Sequence, residues 1–136
     1  LFDMSEVFEK FVGNIYKKLD PNVKLQCQKN FGNLQLKPDI ISNNTIIDTK
    51  YKIVKNRDDL VTNDKYQMFT YGINFNIKNT MLLYPKHLFD IKEDLKLGIN
   101  ENLVKLKMRS LDLNFEGNYE EFIEKIKIKM EKLRCL

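Results

Sequence analysis

Two aspartates and a lysine in the stretch "LQLKPDIISNNTIIDTKYKIV" (residues 34–54) interrupt runs that would otherwise be apolar. Asp39 follows Pro38, which removes a ladder donor and biases Lys37 towards extended geometry, a local break that frees a carboxylate from a sheet. Asp48 and Lys50 are two apart, so on a strand they project to one side while Ile47, Thr49 and Tyr51 project to the other. A hairpin closed by the short "SNN" turn brings Asp39 and Asp48 together on neighbouring strands. Carboxylates so placed repel unless a cation lies between them. Magnesium, a hard ion that takes oxygen ligands, binds through one or two carboxylates plus a phosphate and keeps several waters. A water acidified by such an ion and oriented by the Lys50 ammonium is a nucleophile for a phosphodiester. Lys50 could equally stabilise charge developing in the transition state, and both roles stay open at this point.

The same Asp and Lys also fit an ordinary solvated strand face, so residues elsewhere carry weight. Glu9 lies at the border of the apolar face of a first helix, near Val12 and Tyr16 in angular position, from where a carboxylate can reach inward; Glu6 is further round towards solvent. Gln67 and Tyr71 are four apart on a second helix, hence on one face, and both can touch a phosphate or hold a lysine. His87, the single histidine, follows a strand in "YPKH" and has no placed partner, which favours a surface-loop role. Ser5, Ser42 and Ser110 lack a companion that would make a nucleophile and base.

The elements that must hold these groups follow from periodicity. "MSEVFEKFVGNIYKKL" puts Val7, Phe8, Phe11, Val12, Ile15 and Leu19 on one helical face, with Ser5 as N-cap. "VKLQCQ" alternates Val23, Leu25 and Cys27 against polar residues and predicts a strand; "NFGN" is a turn, and "LQLKPDII" returns antiparallel. "TIIDTKYKI" is the third strand of the meander. "KNRDDLVTN" reads as a loop in which Thr62 or Asn63 caps the second helix, containing "DKYQMFTYGINF". "TMLLYP" reads as a buried strand ended by Pro85, and "LVKLKMRSLDL" as a weaker one. Tyr119, Phe122, Ile123, Ile126, Met130 and Leu133 stripe a last helix whose other face is glutamate and lysine. Helix, three strands, helix, strand, strand, helix implies an α/β domain with a mixed central β-sheet flanked by helices.

Residues 1–136 fit one domain, since 43% hydrophobic content over this length can bury a real core. The net charge of +4 is a mild basic excess that suits a polyanionic partner. Lys125, Lys127, Lys129 and Lys132, interleaved with Glu124 and Glu131, read mainly as a solvated helix face with phosphate contact as the alternative. Cys27 and Cys135 form no zinc-type pair and are expected as reduced thiols of a cytoplasmic protein, a distant disulfide being the alternative. No apolar run approaches a membrane span. The chain opens almost inside a helix without an initiator methionine, so it is expected to be the C-terminal part of a longer one.

Pro38-Asp39, then Asp48-Thr49-Lys50, then Gln67-x-x-x-Tyr71 resemble the PD-(D/E)xK nuclease motif with its downstream Q-x-x-x-Y element. The blocks "SEVFEKFV", "LKPDII", "IIDTKYK", "DKYQMFTYG" and "LLYP", in that order, resemble more specifically the nuclease domain of McrC, the cleavage subunit of the McrBC modification-dependent restriction system. The similarity runs from about residue 4 to residue 85, and more loosely to the last helix. It implies a restriction-endonuclease-like fold and an Mg2+-dependent endodeoxyribonuclease, with Mn2+ a plausible substitute. By resemblance, Asp39 and Asp48 bind the metal, Lys50 is the catalytic lysine, Glu9 is the helix-one acid with Glu6 as an alternative register, and Gln67 and Tyr71 complete the set. Tyr51 and Lys52 flank it. The implied partners are double-stranded DNA carrying modified cytosine and an McrB-like AAA+ GTPase. No G-x-x-x-x-G-K-[ST] loop occurs in this sequence, so GTP hydrolysis belongs to another chain. Cutting both strands needs two active sites and predicts a second copy in the working complex. The competing expectation is an inert module that keeps the nuclease fold for DNA binding or assembly.

Overall fold

The computed structural model of the chain describes residues 3–56, 60 and 62–135. Helix α1 (Met4–Leu19) begins at Asp3, whose carboxylate accepts from the backbone N–H of Ser5 and Glu6. Asp3, rather than Ser5, is therefore the N-cap; an acid there satisfies orphan donors and complements the helix dipole together. Phe8, Val12, Ile15 and Tyr16 form its buried stripe. Val7, expected in that stripe, is 44% exposed, and Tyr16 takes the inward position.

Four short strands follow: β1 (Lys24–Leu25), β2 (Lys29–Phe31), β3 (Leu34–Leu36) and β4 (Ile40–Ser42). The single strand expected over residues 23–28 stops after two residues because Gln26 adopts a left-handed φ of 53°. The expected strand "LQLKPDII" is likewise two strands. Its first part, β3, pairs with β2 in a separate two-stranded ribbon, while β4, beyond the break at Pro38, pairs with β1 and with β5 (Thr45–Thr49). The turn between β4 and β5 is closed by Asn43 and Asn44, both at positive φ (51° and 55°), the geometry that matches the twist of a two-residue hairpin. Strand β5 ends at Thr49, shorter than the predicted "TIIDTKYKI"; Lys50 N–H still donates to Leu83 O (2.9 Å), and the chain then leaves the sheet.

Helix α2 (Thr62–Phe75) includes Thr62 and Asn63, so neither stands outside it as a cap, and residues 57–59 and 61 of the expected loop lie outside the described residues. Strand β6 (Asn79–Pro85) is buried along most of its length. Strand β7 (Lys92–Leu97) was absent from the sequence expectation, whereas β8 (Val104–Leu111) matches it. Helix α3 (Tyr119–Cys135) closes the chain, burying Ile123, Ile126 and Met130 but leaving Tyr119 70% exposed at its first position.

The main sheet has the order β1-β4-β5-β6-β8-β7, with β5, β6 and β8 mutually parallel and β1, β4 and β7 antiparallel to their neighbours. It is a mixed sheet, as expected. One face packs against α1 and α3 through Phe8, Val12, Ile40, Ile47, Leu83, Ile126 and Met130. The other packs against α2 through Ile46, Met68, Tyr71, Leu82, Tyr84 and Met108. Burial on both faces explains why β6 reads as a continuous apolar run. Adjacent Ile46 and Ile47 belong to opposite faces, so alternation along β5 sends Asp48 to the α2 side and Thr49 to the α1 side.

Candidate active site

The register Ile40 opposite Ile47 makes Asp39 and Asp48 the next facing pair, where β4 begins and β5 nears its end. Asp39 N–H donates to Asp48 Oδ1 (3.0 Å). Thr49 donates to Asp39 Oδ2 twice, from its N–H (2.8 Å) and its hydroxyl (2.9 Å). Gln26 adds a third brace: Nε2 donates to Asp39 Oδ1 (3.2 Å), and its backbone N–H donates to Asp39 O (3.0 Å). Sequence reasoning singled out neither Thr49 nor Gln26. A hydroxyl directly after an acid was the available signal for Thr49; the left-handed turn that aims Gln26 has no signature in its residue type.

On the α2 side, Lys50 Nζ sits 3.1 Å from Asp48 Oδ2 and donates to Gln67 Oε1 (2.6 Å). Gln67 Nε2 in turn donates to Tyr71 Oη (3.0 Å). The i, i+4 spacing on α2 thus builds a relay that holds the ammonium beside the buried acid. Just beyond, Lys52 Nζ contacts both carboxylate oxygens of buried Asp64 (3.0 and 2.8 Å), and Tyr84 Oη donates to the same group (3.3 Å). This clasp ties the segment leaving β5 to the first turn of α2.

Glu9 reaches the acids from α1. With Gly13, Gln26 and Asp39 it lines a cleft of about 130 Å³. Partial burial pushes its carboxyl up to about 7, helped by a hydrogen bond and the negative charge of Asp39 and by the charge of Asp48, and opposed by Gln26. Asp48, 4% exposed, is pushed up to about 6 first by burial and then by Asp39, against the favourable charge of Lys50. The Tyr71 hydroxyl is held well above the usual phenol range by burial and by both aspartates, and so remains a neutral hydrogen-bonding group.

The structure therefore brings together Glu9, Asp39, Asp48, Lys50, Gln67 and Tyr71. Among the described residues no three His, Cys, Asp or Glu side chains are converged as a ready-made metal cage. Glu9 and Asp39, which line one cleft with buried Asp48 bonded beside them, are nevertheless a donor set that suits magnesium, which needs only one or two carboxylates. His87 is exposed beyond β6, Ser42 Oγ donates to Asp20 Oδ2 (2.7 Å), and Ser110 Oγ donates to Asp90 Oδ1 (2.6 Å), so none of these joins the site. Cys27 is a free, half-buried thiol.

The domain is of the mixed α/β class, and a chain of the solved "Refined half-complex from tetradecameric assembly of Thermococcus gammatolerans McrB AAA+ hexamers with bound McrC" is similar to it, with a TM-score of 0.65 at 14% identity. The likeness covers 96% of this chain and 33% of that one, so this chain spans about a third of its length. The family model for the McrBC 5-methylcytosine restriction system component matches residues 1–85, and the chain belongs to that family. No curated protein matches it. No helix among the described residues is long and apolar enough to cross a membrane.

Proposed function

We propose that this domain is the metal-dependent DNA endonuclease of an McrBC-type restriction system, with a PD-(D/E)xK site. The observation that carries the reading is the meeting of Asp39, Asp48 and the Gln67-braced Lys50 at one sheet end. Asp39 and Asp48 would hold Mg2+, with Glu9 as a third oxygen donor, and the bound ion would supply Lewis acidity to a phosphodiester and its attacking water. The raised values of Asp48 and Glu9 fit this reading, because acids that carry their charge poorly together gain from a cation.

The chain's own groups do the positioning. Thr49 and Gln26 fix both oxygens of Asp39 and occupy three of its lone-pair sites, leaving one on Oδ1 as a donor. Lys50 Nζ has two of its three protons engaged, by Asp48 and Gln67, which leaves one for a water or for a phosphate oxygen. Gln67 and Tyr71 keep that ammonium from swinging out of the cleft. The Lys50 ammonium, held 3.1 Å from Asp48, would offset negative charge developing on the phosphate.

The proposed context is cytoplasmic double-stranded DNA carrying modified cytosine, a partner AAA+ GTPase of the McrB kind, and two copies of the nuclease for a double-strand break. The test is plasmid cleavage with Mg2+ and that GTPase. Asp48→Ala and Lys50→Ala should each abolish cutting, and activity surviving in both would reject the reading. Calorimetric titration with Mn2+ separates it from an inert module: binding lost in Asp39→Asn supports the nuclease, and no binding to the unaltered protein supports the module.

A further inference from the structure

A second cleft, of about 270 Å³, opens on the α1/α3 face of the sheet between β7, β8 and α3. Its lining carries five basic residues, Lys86, Lys92, Arg109, Lys129 and Lys132, against two acids, Asp90 and Asp112. Lys129 is committed to the carbonyl of Asp112 (2.9 Å), and Asp90 to the Ser110 hydroxyl (2.6 Å). Lys86, Lys92 and Lys132 are exposed and, among the described residues, make no ion pair.

Arg109 forms the floor. Its side chain is 5% exposed, with Nη1 donating to the carbonyls of Glu93 and Met108 (both 3.0 Å) and Nη2 to Asp94 Oδ1 (2.6 Å). Its counter-ion Asp94 has a side chain 68% exposed, and Arg109 Nε has no partner among the described residues. A desolvated cation whose balancing charge stands in water projects positive potential into the cleft beside it.

The position of this cleft relates it to the candidate site. Thr49 faces Leu83, Leu83 faces Arg109, and Arg109 faces Lys92, so one cross-strand row joins the hydroxyl that braces Asp39 to the basic floor. At about 4.8 Å per strand, Arg109 stands roughly 10 Å and Lys92 roughly 14 Å from Thr49 along the row. Nucleic acid advances about 3.4 Å per nucleotide along each strand, so the cleft lies within a few nucleotides of the acids. We propose that Lys86, Lys92, Arg109 and Lys132 form a backbone-phosphate site for DNA flanking the scissile bond. This rests on the nuclease reading for its ligand, but it is a property of residues outside that site.

The test is DNA binding by the complete protein with its GTPase partner, measured by anisotropy on a labelled duplex with Ca2+ in place of Mg2+ across a salt series. The triple variant Lys86→Gln, Lys92→Gln, Lys132→Gln should weaken binding about tenfold or more at about 100 mM salt and flatten the log-log salt slope by roughly one to two. A charge-matched control, Lys24→Gln, Lys96→Gln, Lys105→Gln, alters exposed lysines away from the cleft and should change binding less than about twofold. Equal losses in the two triples, or none in the first, would overturn the proposal. Mn2+ titration of the first triple should match the unaltered protein. Failure of the nuclease reading would instead show as absent metal binding in every form, whichever way the DNA result falls.

Discussion

Asp48→Asn should make the metal-free protein more stable at neutral pH while removing its activity. Burial and the Asp39 charge raise the Asp48 carboxyl from 3.8 to about 6, so folding at neutral pH works against an ionised group by about two pK units, or about 3 kcal/mol. Asparagine keeps an acceptor for the Asp39 N–H, and the lost 3.1 Å pairing with Lys50 is already inside that figure, because the value of about 6 includes the favourable Lys50 charge. The net expectation is a gain of about 3 kcal/mol, or a melting rise of about 9–15 °C for a chain of this size. The sign with pH follows from linkage: the folded state binds the Asp48 proton more tightly, so this group's contribution to stability is fully present below about pH 4 and is lost as pH rises through about 6. The variant's advantage should therefore appear above about pH 6 and vanish near pH 4. Urea titrations in EDTA at both ends of that window measure it. A variant less stable at neutral pH, or an advantage that does not change with pH, would show that the charge carries no such cost.

Two further substitutions test other parts of the molecule. Gln67→Leu leaves Lys50 without its 2.6 Å acceptor and Tyr71 without its donor, and should reduce cleavage about tenfold to a hundredfold while leaving Mn2+ binding nearly unchanged, as calorimetry beside the plasmid assay would show. Gly72→Ala places a Cβ 2.8 and 2.9 Å from the two Val104 methyls and 3.1 Å from Ile77 O, and should cost about 1–3 kcal/mol in denaturant unfolding.

The helices and the β4–β5–β6 heart of the sheet were legible because their apolar spacing is strong: Phe8, Val12 and Ile15 at helical period, and the unbroken Met81, Leu82, Leu83 and Tyr84 of a strand buried on both sides. Strand β7 was not, because it is an edge strand of sequence "KEDLKL", rich in charges that strands disfavour, with only its Glu93, Leu95 and Leu97 side half-buried. In the β2–β3 ribbon, most of β2 was read as the "NFGN" turn and β3 was merged with β4, because Gln26 and Pro38 break the chain through backbone conformation rather than polarity. In the site, Asp39, Asp48 and Lys50 follow from alternation and a short turn. The braces from Gln26 and Thr49 depend on where a left-handed residue and a neighbouring strand happen to aim donors, which periodicity does not encode.

The left-handed pair Asn43 and Asn44 contributes no reactive atom, yet it sets the spacing of the two acids. With so few residues in the connection there is no slack. One residue more or less would slide β4 by a step against β5 and turn the side chain opposite Asp48 from a carboxylate into a proline or an isoleucine. The hairpin thus behaves as a ruler read from its closed end, and the chemistry at its open end tolerates changes in the letters of that bend far better than changes in their number.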